Sequence, residues 1–172
     1  MSLNCTLDQG FVLGCNTIGG VEKVWLGTWS ADATYAYNAS NVVTGVTSAT
    51  TVYEMEGDIE FFGLTQTGNF SRENGTVFYQ SDLALKFTHL DSQLRNLINA
   101  LGRAPLYAVV KSNSGEYFIL GVESAGRSTA GDSSLGTLLG DMNGATLTIT
   151  WKSANGAFLI NGGLVGTSIT VG

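Results

Sequence analysis

From Val77 to Phe87 the chain alternates, with Val77, Tyr79, Leu83, Leu85 and Phe87 on one side and Gln80, Asp82 and Lys86 on the other. A side-chain period of two fits a half-buried strand and no helix. Thr51 to Phe62 alternates in the same way. Tyr53, Met55, Ile59 and Phe61 point one way, and Glu54, Glu56, Asp58 and Glu60 point the other, unless Gly57 marks a bulge that breaks this register. Two matched runs joined by the turn-rich stretch GLTQTGNFSRENG predict a long β-hairpin over about residues 51–87. The link from Gly63 to Gly75 exceeds the about 2 to 5 residues of common hairpin loops. A polar loop of that length is functional or disordered, and it contains Gly63, Thr65, Gln66, Asn69, Phe70, Arg72 and Asn74.

The rest of the chain fits that frame. Strands are expected over residues 21–29, 33–38, 42–47, 106–111, 116–122, 145–152 and 158–160. One helix interrupts them over about residues 89–101, where Leu90, Leu94, Leu97, Ile98 and Leu101 form one apolar stripe. Thr88 and Asp91 resemble a capping box at its start, and Gly102 and Pro105 supply the stop. The expected fold is mainly β, a β-sandwich or barrel with one flanking helix, in one domain over residues 1–172 with extended N- and C-terminal segments. The Gly-rich stretch from Gly126 to Gly144 reads as a mobile surface loop. The Gly-rich terminus NGGLVGTSITVG promises no regular element and is expected to order against a partner.

Charge narrows the function. Charged residues are 13 % of the chain, against about 25 % in average soluble proteins. Such a surface is either solvated by Ser, Thr and Asn or covered by other subunits, because interface cores are depleted in charge. The formal net charge of −6 argues against clamping a nucleic-acid backbone. No apolar run suits a membrane span, and MSLNCTLDQG lacks a basic region followed by an apolar one, so a cytoplasmic chain is expected. On that reading the N-x-[ST] matches at Asn4, Asn38, Asn69 and Asn74 are chance, and Cys5 and Cys15 are free thiols rather than a disulfide.

Residues suited to catalysis are sparse. His89 is the only histidine, and no metal-ligand set or cofactor motif accompanies it. Its neighbour Asp91 makes a base and orienter pair conceivable, but a structural histidine at the start of a helix is the plainer reading. Gly126 to Gly144 lacks the lysine of a P-loop, and Asp132 and Asp141 would repel phosphate. The carboxylates Glu54, Glu56, Asp58 and Glu60 would lie about 7 Å apart in a line, which suits an electrostatic surface or a solvated strand face better than a coordination shell. No enzyme activity and no cofactor is expected.

A β-sandwich or barrel of this size with one flanking helix, a long hairpin and adaptable termini resembles the tail tube subunits of long-tailed bacteriophages. The C-x9-C pair followed by GGVEKVWL, the segment LDSQLRNLINALGRAPLYAVVKSNSGEYFILG and the segment GDMNGATLTI look like virion structural proteins of phages of Bacteroidetes-type bacteria. The resemblance implies a virion protein, assembled in the host bacterial cytoplasm, whose copies close into hexameric rings that stack around a DNA-conducting channel. It implies an acidic lumen lined by Glu54, Glu56, Asp58, Glu60 and Asp82, and a hairpin tip that reaches the next ring. The implied partners are further copies of the chain, other virion proteins and phage DNA that passes without specific binding. A capsid decoration or head-to-tail connector protein shares the composition. A ligand-binding β module is the third reading, and it needs some of Trp25, Trp29 and Trp151 exposed around a groove.

Overall fold

A computed structural model describes Leu7 and residues 10–172. The structure is mainly β, with two antiparallel sheets packed face to face and one flanking helix. The strands are β1 (Val21–Thr28), β2 (Thr34–Tyr37), β3 (Val43–Thr47), β4 (Val52–Met55), β5 (Phe62–Ser71), β6 (Thr76–Thr88), β7 (Leu106–Ser112), β8 (Tyr117–Leu120), β9 (Arg127–Ser134), β10 (Gly144–Ser153) and β11 (Phe158–Leu159). A five-stranded sheet has the order β11-β8-β7-β1-β4, and a four-stranded sheet the order β5-β6-β10-β9. The β2-β3 ribbon is separate.

Alternation explains the layers. In β10, Ala145, Leu147, Ile149 and Trp151 are buried, whereas Thr146, Thr148, Thr150 and Lys152 between them are not. The buried set meets Leu83, Leu85 and Phe87 of β6 and Val24, Leu26, Ala108 and Val110 of the five-stranded sheet in the main core. Strand β7 is apolar on both faces, because its other face also needs cover. Tyr107 and Val109 join Trp25, Val43, Val52, Ile119 and Ile169 in a second core beneath the β2-β3 ribbon and the C-terminal segment.

The helix α1 (Ser92–Leu101) buries Leu94 and Leu101, with Leu90, Leu97 and Ile98 packed against the main core, as its stripe predicts. Its cap differs from expectation. Thr88 ends β6, and Asp91 is itself the N-cap, its Oδ1 accepting from the Leu94 N–H at 2.8 Å. His89 makes the turn between the two elements with φ 66° and donates its backbone N–H to Asn143 O at 2.7 Å.

The C-terminal segment does not wait for a partner to order. Ile169 is fully buried, a 3-10 turn spans Gly162–Leu164, and Val52 exchanges backbone hydrogen bonds with Thr170 and Gly172 at 2.9 Å each. Residues 10–19 have no regular element, and Phe11, Val12, Leu13 and Ile18 are exposed. Cys15 is exposed, while Cys5 and the site at Asn4 lie outside the described residues. No helix among the described residues is long and apolar enough to cross a membrane.

Candidate assembly surface

The single acidic strand face expected over Glu54, Glu56, Asp58 and Glu60 does not form. Strand β4 stops at Met55, because the chain there leaves the five-stranded sheet and crosses to the four-stranded one. Gly57 permits the crossing. A Cβ on it would stand 2.4 Å from the Phe62 ring, so no larger residue lets that ring cover the turn. Asp58 holds the turn, accepting from Ile59 N–H through Oδ1 at 2.7 Å and from Phe61 N–H through its carbonyl at 3.2 Å. Glu60 then takes the left-handed conformation at φ 67°. Of the four carboxylates only Glu54 is on a strand, where it pairs with Lys23 at 3.2 Å on the five-stranded sheet.

Asp82 has a different setting, on the outer face of the four-stranded sheet. It accepts from Thr150 Oγ1 at 2.6 Å and from Gln80 Nε2 at 3.1 Å. The register places Thr65 and Thr67 of β5, Gln80, Asp82, Ala84 and Lys86 of β6, and Thr146, Thr148, Thr150 and Lys152 of β10 on this face. Asp132 and Ala130 of β9 continue it, with Thr129 Oγ1 3.0 Å from Thr150 Oγ1. Its charges are mixed, Asp82 and Asp132 against Lys86, Lys152 and Arg127. The face is hydroxyl-rich instead of acidic, and no layer of the described residues covers it.

The two long edges of this sheet are equally bare. No described strand pairs with the outer side of β5 or of β9. Strand β9 lies inside the stretch expected to be a mobile loop. Its sequence RSTAGDSS shows no apolar alternation because almost all of it is exposed, and it is held by its ladder to β10. Edge strands normally carry a guard such as proline, a bulge or a dense charge. Strand β5 carries no charge or proline, and β9 offers one bulge with Arg127 and Asp132.

A long hairpin forms, but not from the arms expected over residues 51–87: the expected first arm ends as β4, which pairs with β1 in the other sheet, and the partner of β6 is β5. Residues expected to be loop, Gly63 to Ser71, form β5 in continuous register with β6, so Gly63, Thr65 and Asn69 lie on the outer face and Gln66 and Phe70 on the inner. Only Arg72 to Gly75 turn, with Gly75 at φ 63° and Asn74 N–H donating to Ser71 Oγ at 3.3 Å. Ladder contact with β10 ends at Tyr79, so Asn69 to Phe78 project past the sandwich by about 10 Å. Phe70, Val77 and Phe78 are exposed there, with Phe70 edge-on to Tyr79 at 5.8 Å.

No group of three or more metal-ligating side chains gathers among the described residues. A cleft of about 430 Å³ beside α1 brings Glu56, Lys86, His89 and Asp91 to its lining, so His89 and Asp91 do share a surface. Trp25 and Trp151 are buried, and Trp29 donates Nε1–H to Gly121 O at 2.9 Å beside the second core, so the tryptophans serve packing and frame no groove. No family model, curated protein or solved structure matches the chain.

Proposed function

We propose that this chain is a self-assembling structural subunit of a phage virion, a tail tube protein whose four-stranded sheets join edge to edge into rings. The observation that carries this reading is a sheet open along both long edges with one uncovered face. The strands alternate in direction from β5 to β9, so β9 of one copy meets β5 of the next antiparallel and the ladder continues without a break. Heterologous joining of this kind closes into a ring when the rotation per copy permits. The five-stranded sheet occupies the inner face, so the hydroxyl face with Asp82 is the one left to line the channel. Phage DNA would pass it because its cations are dispersed among hydroxyls and opposed by carboxylates. The projecting hairpin, with Phe70, Val77 and Phe78 exposed beside its polar turn, would meet the neighbouring ring.

Amide hydrogen exchange tests the edge pairing directly. Outward-facing amides of β5 and β9 exchange fast in the dilute monomer and become protected in the assembled protein. If both edges exchange equally fast in monomer and oligomer, the copies do not join through this sheet.

A further inference from the structure

Two apolar features are left largely uncovered by the described residues of one copy, although Leu135 lines a cleft with Leu90 and Ile98 beside α1 and Ile59 lines one with Ile18 and Phe62. In the loop from β9 to β10, Leu135, Leu138 and Leu139 are 70 %, 74 % and 109 % exposed, and in the turn from β4 to β5, Ile59 is 84 % exposed. Neither segment is slack. Asp141 Oδ2 accepts from the N–H groups of Thr137 and Leu138 at 2.8 Å each, and Asp141 N–H donates to Leu138 O at 3.1 Å. The two amides also hold the Asp141 carboxyl below the usual carboxylate range. Ser134 Oγ accepts from Gly136 N–H at 3.1 Å, and Asp58 pins the Ile59 turn as described above. Apolar side chains held outward on ordered backbone lose little freedom when a partner covers them.

Topology relates the two features. The leucine loop follows Ser134, the last residue of β9, and the Ile59 turn precedes Phe62, the first residue of β5. Antiparallel addition of β9 from one copy to β5 of the next sets the end of β9 beside the start of β5. We infer that the Leu135–Leu139 loop of each copy clasps the Ile59 turn of its neighbour. This inference rests on the edge-to-edge reading and adds what that reading lacks, a source of register. The joining edges are mostly Thr, Ser, Gly, Asn and Gln. Phe62, Leu64 and Phe70 of β5 face the inner side, and β9 adds only Arg127, Ala130 and Asp132 and is exposed along nearly its whole length, so the seam offers few apolar pairs to set register. An apolar clasp at one end fixes the slide between copies. It also distinguishes the two edges, so β9 meets β5 and not a second β9.

The experiment is a charge-exchange cycle, L138K and I59D separately and then together in one chain, followed by sedimentation velocity over a wide concentration range with circular dichroism as the fold control. Each single variant should keep its fold and self-associate at least tenfold more weakly. The double variant, in which every joint sets the introduced lysine of one copy against the introduced aspartate of the next, should recover most of the loss. Singles that assemble as wild type does, with β5 and β9 amides still protected, overturn the clasp and leave the edge pairing standing. A double variant no better than the singles overturns it also. A wild-type chain that stays monomeric throughout removes the edge reading and the clasp together.

Discussion

Gly126 lies where one methyl group decides stability. A Cβ there would stand 2.2 Å from Cε2 of Trp151, a buried ring whose Nε1–H donates to Leu106 O at 3.0 Å. Gly126 also exchanges backbone hydrogen bonds with Leu106, at 2.8 and 3.0 Å, so neither partner can retreat. Gly126→Ala should therefore cost about 2 kcal/mol, read as a lower urea midpoint with unchanged slope. Tyr35 gives a pH-dependent counterpart. Burial, and then the nearby Tyr107 and Tyr37, push its hydroxyl up to about 12, from an ordinary value of about 10. A raised folded-state value means that this contribution is intact below about pH 10 and is lost as pH rises toward about 12. Tyr35→Phe should make the alkaline fall in stability shallower, as urea midpoints across that window will show. Single residues were partly legible in the sequence. The leucine stripe of α1 was readable because a helix must bury one face, whereas the Asp91 cap was displaced because β6 runs on to Thr88.

At the scale of elements, legibility follows burial. Strands β6 and β10 bury alternate residues and announced themselves. Strands β5 and β9 bury almost nothing, so their Thr, Ser and Gly residues looked like loop although each is held by a full ladder. The acidic row failed for a different reason, because alternation continues across Glu56 to Phe61 while the backbone changes sheets. The hairpin yields the test at this scale. Replacing Asn69–Phe78 by a two-residue Asn-Gly turn leaves the Gly68 and Tyr79 pair closing the ladder. Loss of the Phe70 and Tyr79 contact should cost the subunit about 1 kcal/mol. Stacking of rings into tubes should stop, while single rings still form. Tubes of wild-type length from the shortened chain would show that the tip makes no contact between rings.

For the whole molecule, the proposed tube turns the hydroxyl face toward the channel. On that proposal Asp82 and Asp132 offset the cations of the face, and D82N with D132N would leave Lys86 and Lys152 there without a carboxylate partner on the face, Arg127 being turned to the Arg103 carbonyl at 3.2 Å. Assemblies of the double variant should retain duplex DNA at low salt and release it as salt rises, since each phosphate contact displaces counterions. Wild-type assemblies should not retain it. Equal, negligible retention by both would place the face away from the DNA. In the proposed assembly the open sheet closes by copies of itself. Negative-stain electron microscopy of the concentrated, purified chain should then show rings with a central hole, alone or stacked into tubes; isolated subunits or two-fold dimers at every concentration would rule this closure out.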